Sequence, residues 1–558
     1  MSEGDRTTEA LRMIPLGGLG EIGLNMMAME YGDTIIVIDC GLMFPEDYML
    51  GIDLVIPDVT YLIRNRDKVK AFIITHGHED HTGALPFVLR EIDAPIYGTA
   101  MTLGLIEEKL EEHGLARSTV LETVRPRDRV SIGPFDIEFI RVSHSIVDGC
   151  GLAIKTPVGT VVHTGDFKMD QTPVDGEVMD YARFSEYGEA GVLLFMSDST
   201  NVEKEGYTLS EREIGRNLED VFRRCEGRII VAAFSSNIHR IQQVMDAADK
   251  FGRKVVLNGK SMVANSRIAR ALGYLKAPDG LIVDLRDLDS LPHQRVVLLT
   301  TGSQGEPMSA LTRMAMDNHK QIKVTKGDTI ILSSKFIPGH EKAISTMMNH
   351  LYRRGADVIY EKVSEIHVSG HASKEELKIM LNIVKPRYFM PVHGEYRHLV
   401  LHGRLASTVG IPEENIFVAE DGQVIEFTKD GARRAEIVEH GRVFVDGKGV
   451  GDVGEMVLKD RSHLSEGGMV LAVVAINNST GEIVYGPEII TRGLVLEEGR
   501  PGLLDQAKNI VIEALGSVSA EVKTEQLEVK EEVRRALRRF FNKTLERRPV
   551  ILPVIIEI

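Results

Sequence analysis

At 558 residues the chain exceeds what one hydrophobic core usually supports, so two or three domains are expected. Hydrophobic residues at 43% and charged residues at 27% match an ordinary soluble globular protein. The net charge of −16 argues against nucleic-acid binding over the whole surface and leaves room only for a narrow, locally positive track.

The chain opens with Met1-Ser2-Glu3-Gly4-Asp5-Arg6, which lacks a signal peptide's apolar stretch. No run of about 18 apolar residues follows, so a cytoplasmic protein without membrane contact is expected. Cys40, Cys150 and Cys225 lie far apart, which fits a reducing compartment and excludes a thiolate metal site. The segment Gly18-Leu19-Gly20-Glu21-Ile22-Gly23 matches a dinucleotide fingerprint, and Asp39 stands near that fold's acidic position. A helix should then follow the third glycine. Leu24 to Glu30 is instead a short segment broken by Tyr31-Gly32-Asp33, which predicts a strand and hairpin turn. Asp39 reads better as a carboxylate beneath a metal loop, holding its ligands in orientation. Phe44 to Asp53 is an acidic loop.

The loop His76-Gly77-His78-Glu79-Asp80-His81 leaves the buried strand predicted at Ala71-Phe72-Ile73-Ile74-Thr75. Zinc takes neutral imidazole and carboxylate at about 2.0–2.2 Å, usually four ligands to an ion. One loop cannot aim four side chains at one ion. Two ions are therefore expected, with His76 and His78 on one, Asp80 and His81 on the other, and further ligands from later strand ends. Those ends are His144 after the strand Phe135 to Val142, Asp166 after Thr160 to Thr164, and His393 after Tyr388 to Val392. Asp166 is the candidate bridge. Asp198 ends another apolar strand.

From about Leu209 to Tyr360, strands at Arg228–Phe234, Val255–Leu257, Val296–Leu299 and Thr329–Leu332 alternate with amphipathic helices, predicting a parallel α/β domain and a cleft beside it. Two turns read as phosphate cradles. One is Ser235, Ser236 and Asn237 ahead of a helix from Ile238 to Lys250. The other runs from His367 through Val368, Ser369, Gly370, His371 and Ala372 to Ser373, with Ser373 and Glu376 forming a capping box. Beyond Phe427 a polar, glycine-rich stretch predicts a linker or small hairpins. A small α/β domain of the self-associating kind follows from Met456. Its helix from Lys530 to Arg548 carries eight basic and three acidic residues, a solvated face.

The ordered set His76, His78, Asp80, His81, His144, Asp166 and His393, with Asp39 ahead of it, resembles the metallo-β-lactamase superfamily. The long gap before His393 is similar to its β-CASP nucleases. Pro15-Leu16-Gly17-Gly18-Leu19-Gly20-Glu21-Ile22-Gly23 and Ser369-Gly370-His371-Ala372-Ser373 resemble the ribonuclease J family, and the likeness spans nearly the whole chain. It implies an α/β fold: a metallo-β-lactamase αββα sandwich over 1–208 and 361–427, an inserted β-CASP domain over 209–360, a linker over 428–455, and a C-terminal domain over 456–558. It pairs Asp198 with His371 as a candidate proton donor and assigns both cradles, His367 to Ser373 and Ser235 to Asn237, to a 5′-monophosphate and the RNA backbone. It also implies a structural calcium at Gly51, Asp53 and Asp446, whose oxygen ligands suit that ion.

The expected chemistry is hydrolysis of RNA by two zinc ions, with manganese or magnesium as stand-ins, trimming 5′-monophosphorylated single strands from the 5′ end and cutting internally. Expected partners are RNA, a second or further copies of the chain forming a dimer or tetramer, and other RNA-decay proteins. The alternatives are a DNA-directed β-CASP nuclease and a small-molecule metallo-hydrolase.

Overall fold

The computed structural model describes residues 10–306, 308–334, 340–361, 368–447, 449–477, 480, 482–494, 502–517 and 526–558. The chain divides into two compact units, one of residues 1–44 with 54–443 and one of residues 45–53 with 444–558.

In the first unit two sheets share a core. One is ordered Ala432–Ile437, Gln423–Phe427, Leu11–Gly17, Met26–Tyr31, Thr34–Ile38, Val69–Ile73, Ile96–Gly98 and Leu121–Thr123; the other is Tyr388–Val392, Leu194–Asp198, Thr160–His163, Cys150–Lys155, Phe135–Arg141 and Arg129–Ile132. Side chains alternate across a strand, so Ala71 and Ile73, Ile137 and Phe139, Leu152 and Ile154, and Leu194 and Met196 meet in one cluster between the sheets. The residues between them face the other way. Ile140, Ala153, Val162, Phe195 and Phe389 pack with Phe184, Met380 and Leu405 of the helices Tyr181–Ala190, Lys374–Val384 and Tyr396–Thr408. Each large apolar side chain buried this way contributes about 1.5–3 kcal/mol relative to exposure.

This arrangement aligns the strand ends. Thr160–His163, Leu194–Asp198 and Tyr388–Val392 run parallel in register, so Asp166, Asp198 and His393 emerge at the same edge. The segment after Gly23 is the strand Met26–Tyr31, paired antiparallel with Thr34–Ile38 around Gly32 and Asp33. No helix stands where a dinucleotide fold needs one.

The inserted lobe carries a parallel sheet ordered Lys254–Asn258, Val296–Thr300, Ile229–Ala232, Thr329–Leu332 and Asp357–Ile359. Helices Glu211–Arg224 and Ile238–Lys250 pack on one face and Ala310–Ala315 and Glu341–Arg353 on the other. Both faces are buried, which explains why its strands read as unbroken apolar runs. Within the stretch expected to be a linker or hairpins, Ala432–Ile437 is the edge strand beside Gln423–Phe427. In the second unit, Met469–Ile476 lies between Ile483–Arg492 and Val550–Glu557, and helices Leu503–Gly516 and Gln526–Leu545 cover one face.

Candidate metal centre and the cradle beside it

The loop after Val69–Ile73 is only half a loop. His78 caps a single helical turn, Glu79–Thr82, which sends Asp80 and His81 to a different side from His76 and His78. Two ligand groups result, each with ligand atoms within 4.8 Å of one another: His76, His78, His144 and Asp166, and Asp80, His81, Asp166 and His393. Asp166 belongs to both. All seven residues expected to bind metal therefore converge, although more than 300 positions separate the first from the last.

The geometry suits a tetrahedral ion. Ligand atoms about 2.0–2.1 Å from one zinc stand about 3.3 Å apart. His78 Nδ1 lies 3.1 Å from His76 Nε2 and 3.2 Å from His144 Nε2. Asp166 Oδ2 lies 3.7 and 3.8 Å from the ring nitrogens of His76 and His144, and 3.4 Å from that of His81. Asp80 Oδ2 is 3.7 Å from His81 Nε2 and 3.5 Å from His393 Nε2. His393 Nε2 is buried without a hydrogen-bond partner, an orphan that a cation would satisfy.

Four of the five far ring nitrogens are tied down, those of His81, His76, His144 and His393, as a metal-ligating histidine requires. Asp39 Oδ2 lies 2.8 Å from His81 Nδ1 while its carboxylate accepts from the Thr75 N–H at 2.8 Å. Thr75 Oγ1 faces His76 Nδ1 at 3.1 Å, Gly370 O faces His144 Nδ1 at 2.7 Å, and Asp166 Oδ1 faces His393 Nδ1 at 2.7 Å. Burial holds His76 and His144 well below the ordinary imidazole range and takes His78 down to about 4, so these rings present lone pairs. Burial also disfavours charge on His81 and His393, but Asp166 beside them outweighs it and raises both.

A third group, Asp166, Asp198, His371 and His393, overlaps the second. His371 Nδ1 lies 2.7 Å from Asp198 Oδ2. Burial works against protonation of His371, yet Asp198, with Asp166 and Asp80 beyond it, holds it up at about 9. The ring can thus carry a proton beside the ligand groups.

The two cradle loops meet the same cluster of side chains, where Val368 packs with Ile146, Val147 and Ile238. Asn237 caps Ile238–Lys250 by accepting from the Arg240 N–H at 2.9 Å, leaving Ser235 and Ser236 half-buried. Ser373 and Glu376 form the expected capping box. Val368 and Ala372 are buried, so only their backbone faces a ligand. A Cβ on Gly370 would stand 2.6 Å from His144 Cε1, so this position must be glycine. His367 lies outside the described residues. Sequence reasoning missed Thr75, Asn201 and Thr208: Asn201 Nδ2 donates to Ser369 Oγ at 2.8 Å and to His371 O at 3.0 Å, and Thr208 Oγ1 donates to His371 O at 3.0 Å. Nothing local marks Asn201 and Thr208, because their partners stand more than 160 positions away, and Thr75 acts through Asp39, 36 positions before it.

Gly51, Asp53 and Asp446 share the second unit, where Asp446 already has a cationic partner. Asp446 is ion-paired with Arg461, which also donates to Leu50 O at 2.9 Å, and Asp53 accepts from the Gly447 N–H at 2.7 Å. A Cβ on Gly51 would lie 2.7 Å from the same guanidinium. A calcium ion held by these oxygens would have to displace the Arg461 guanidinium from Asp446.

Fold and site together define a metallo-hydrolase of the metallo-β-lactamase class with a β-CASP insertion. Matches to described families agree: the metallo-β-lactamase superfamily over residues 19–206, the ribonuclease J β-CASP domain over 226–351, the zinc-dependent metallo-hydrolase RNA specificity domain over 355–419, and the ribonuclease J C-terminal domain over 456–558. Ribonuclease J of Thermus thermophilus is 45% identical over 554 residues, spanning 98% of this chain and 95% of its own. Ribonuclease J2 of Bacillus subtilis is 41% identical over 553 residues, spanning 99% and 100%. The chain belongs to the ribonuclease J family. A crystal structure of a protein of unknown function from Enterococcus faecalis, at 16% identity and a TM-score of 0.54, covers 75% of this chain and all of its own, a likeness of fold alone.

Proposed function

We propose that this ribonuclease uses two zinc ions to trim 5′-monophosphorylated single-stranded RNA from its 5′ end and to cut RNA internally, in cytoplasmic RNA maturation and decay. The hydrogen bond between His144 and Gly370 O carries the reading, because it joins a candidate ligand to the loop that would grip the substrate. His76, His78, His144 and Asp166 would hold one ion and Asp80, His81, His393 and Asp166 the other, with manganese or magnesium as substitutes. When bound, such a pair supplies a nucleophile of lowered pKa and offsets charge on the phosphoryl group.

The chain's own groups do the rest. Asp198 fixes the His371 tautomer, so the other ring nitrogen donates a proton to the leaving 3′-oxygen. Backbone N–H groups at the start of Ile238–Lys250, with Ser235, Ser236, Asn237 and Ser369, accept a terminal phosphate. A monophosphate seated there places the first phosphodiester at the ligand groups, and RNA that passes without anchoring its end is cut internally.

The test is a single set of RNAs carrying a 5′-monophosphate, a 5′-triphosphate or an internal label, with and without chelator, alongside DNA of the same sequence. Fastest trimming of the monophosphate, with all cleavage lost to chelator, is expected. Cleavage that survives chelation defeats the metal reading, and equal cleavage of DNA favours a DNA-directed enzyme. Gly51, Asp53 and Asp446 would hold a structural calcium through oxygen ligands once Arg461 moves aside, and a melting temperature higher in calcium than in EGTA is the expected outcome.

We also propose that copies associate through the C-terminal sheet into dimers or tetramers, which would bring other RNA-decay proteins to one assembly. Its helix-free face carries Leu552, Val554 and Ile556, which are 43, 38 and 46% exposed, beside Leu471, Val473 and Ile490. An aliphatic face of this kind marks a protein interface.

A further inference from the structure

We infer that Asn25 is a positioning residue for the Asp80–His81 half of the metal centre, and that the glycine-rich stretch before it serves to bring its amide there. The stretch matches a nucleotide fingerprint but leads into a strand, so its glycines need another explanation. Gly18, Gly20 and Gly23 have φ of +88°, +93° and +101°, which carries the chain through turns closed to other residues. A Cβ on Gly18 would lie 2.5 Å from Asn25 Oδ1, and one on Gly41 would lie 1.7 Å from Asp80 O and 2.9 Å from Asn25 N. Two backbone segments, at Gly18 and Gly41, therefore close on Asn25 and Asp80 at distances that exclude side chains.

Within that junction Asn25 makes the connections. Its backbone N–H and its Nδ2 both donate to Asp80 O at 3.1 Å, and its own carbonyl accepts from the Gly41 N–H at 3.0 Å. The Asp80 carbonyl is an acceptor, so the amide nitrogen must face it. The same nitrogen stands 3.2 Å from His81 Nε2. Because Asp39 takes His81 Nδ1, Nε2 is the ligand atom. Asn25 therefore holds the residue 80 backbone and stands beside the His81 ring. Its nitrogen points at the one Nε2 lone pair that an ion would take, so a bound ion displaces that contact while both bonds to Asp80 O remain. A cavity of about 20 Å³, room for one water, is lined jointly by Asn25, Asp39, His81, Asp166 and His393, so the Asn25 side chain borders three of the four residues of this ligand group. None of these contacts touches His76, His78 or His144, which predicts an effect on one ion only.

The inference rests on the two-ion reading. Full-length protein stripped by chelator is titrated calorimetrically with zinc, as wild type, Asn25→Ala and Asn25→Ser, and the melting temperature of each stripped protein is measured. The expected result is one equivalent bound as in wild type and a second bound about 10–100-fold more weakly, the range in which partners of a ligand act. Two equivalents bound with wild-type affinity overturn the assignment. Parallel weakening of both, with a lowered melting temperature in both variants, makes Asn25 merely structural and overturns it too. Wild type that binds fewer than two equivalents fails the two-ion reading, and this inference with it.

Discussion

Asp39 and His393 both sit at positive φ, +59° and +53°, a conformation that costs a residue other than glycine about 1–3 kcal/mol. That strain falls on a candidate ligand and on the carboxylate holding one, where it turns side chains sharply out of strand ends. His76→Ala is expected to leave the melting temperature of the stripped protein within a few degrees while activity falls by more than about 100-fold, the scale on which even partners of a ligand act. Circular dichroism with RNA cleavage checks this. Asp198→Asn should lower kcat about 100-fold with KM changed less, since the His371 tautomer is lost but Ser235, Ser236, Asn237 and Ser369 are untouched; single-turnover cleavage separates the two. The histidines and Asp166 were legible because imidazole and carboxylate at strand ends carry their chemistry in their identity. Thr75, Asn201 and Thr208 were not, because a hydroxyl or amide becomes functional only through a partner that tertiary structure supplies.

Among the elements, strands whose runs are apolar or alternate were legible within a residue or two: Phe135–Arg141 and Tyr388–Val392 formed where periodicity put them. The turn Glu79–Thr82 was not, being too short to show a period, yet it separates the ligand pairs. The contact of Gly370 with His144 was equally hidden, since it joins residues 226 positions apart. Gly370→Ala tests it: the added Cβ must displace either the ring or the loop, so cleavage should fall at least 10-fold while far-ultraviolet circular dichroism is unchanged. A second element contact predicts pH dependence. Glu138 on Phe135–Arg141 is desolvated, which alone would raise its pKa, but Arg183 and Tyr187 on the neighbouring helix, with Arg129, bring it down to about 2. The stabilisation is therefore present above the ordinary carboxylate range and fades as pH falls through that range towards 2. Glu138→Gln should lower stability by about 2–3 kcal/mol at neutral pH, with the gap to wild type narrowing below about pH 4. Denaturant unfolding across pH measures it.

At the scale of the whole molecule, the C-terminal sheet gives a prediction of its own. Val554→Glu with Ile556→Lys should leave the helix-covered face and the fold intact but shift the chain from dimer or tetramer to monomer by light scattering. An unchanged mass would move the interface elsewhere. Among the described residues no helix is long and apolar enough to cross a membrane. One feature of the first sheet bears on how the protein is made. Leu11–Gly17 pairs on one side with Met26–Tyr31, but its other side waits for Gln423–Phe427, with Leu11 opposite Phe427. A ribosome adding about 5–20 residues per second needs roughly 20–80 s to produce that partner. Through that interval the nascent chain displays an open strand edge. Synthesis thus leaves the first sheet with a sticky border that chaperones must shield until Gln423–Phe427 emerges.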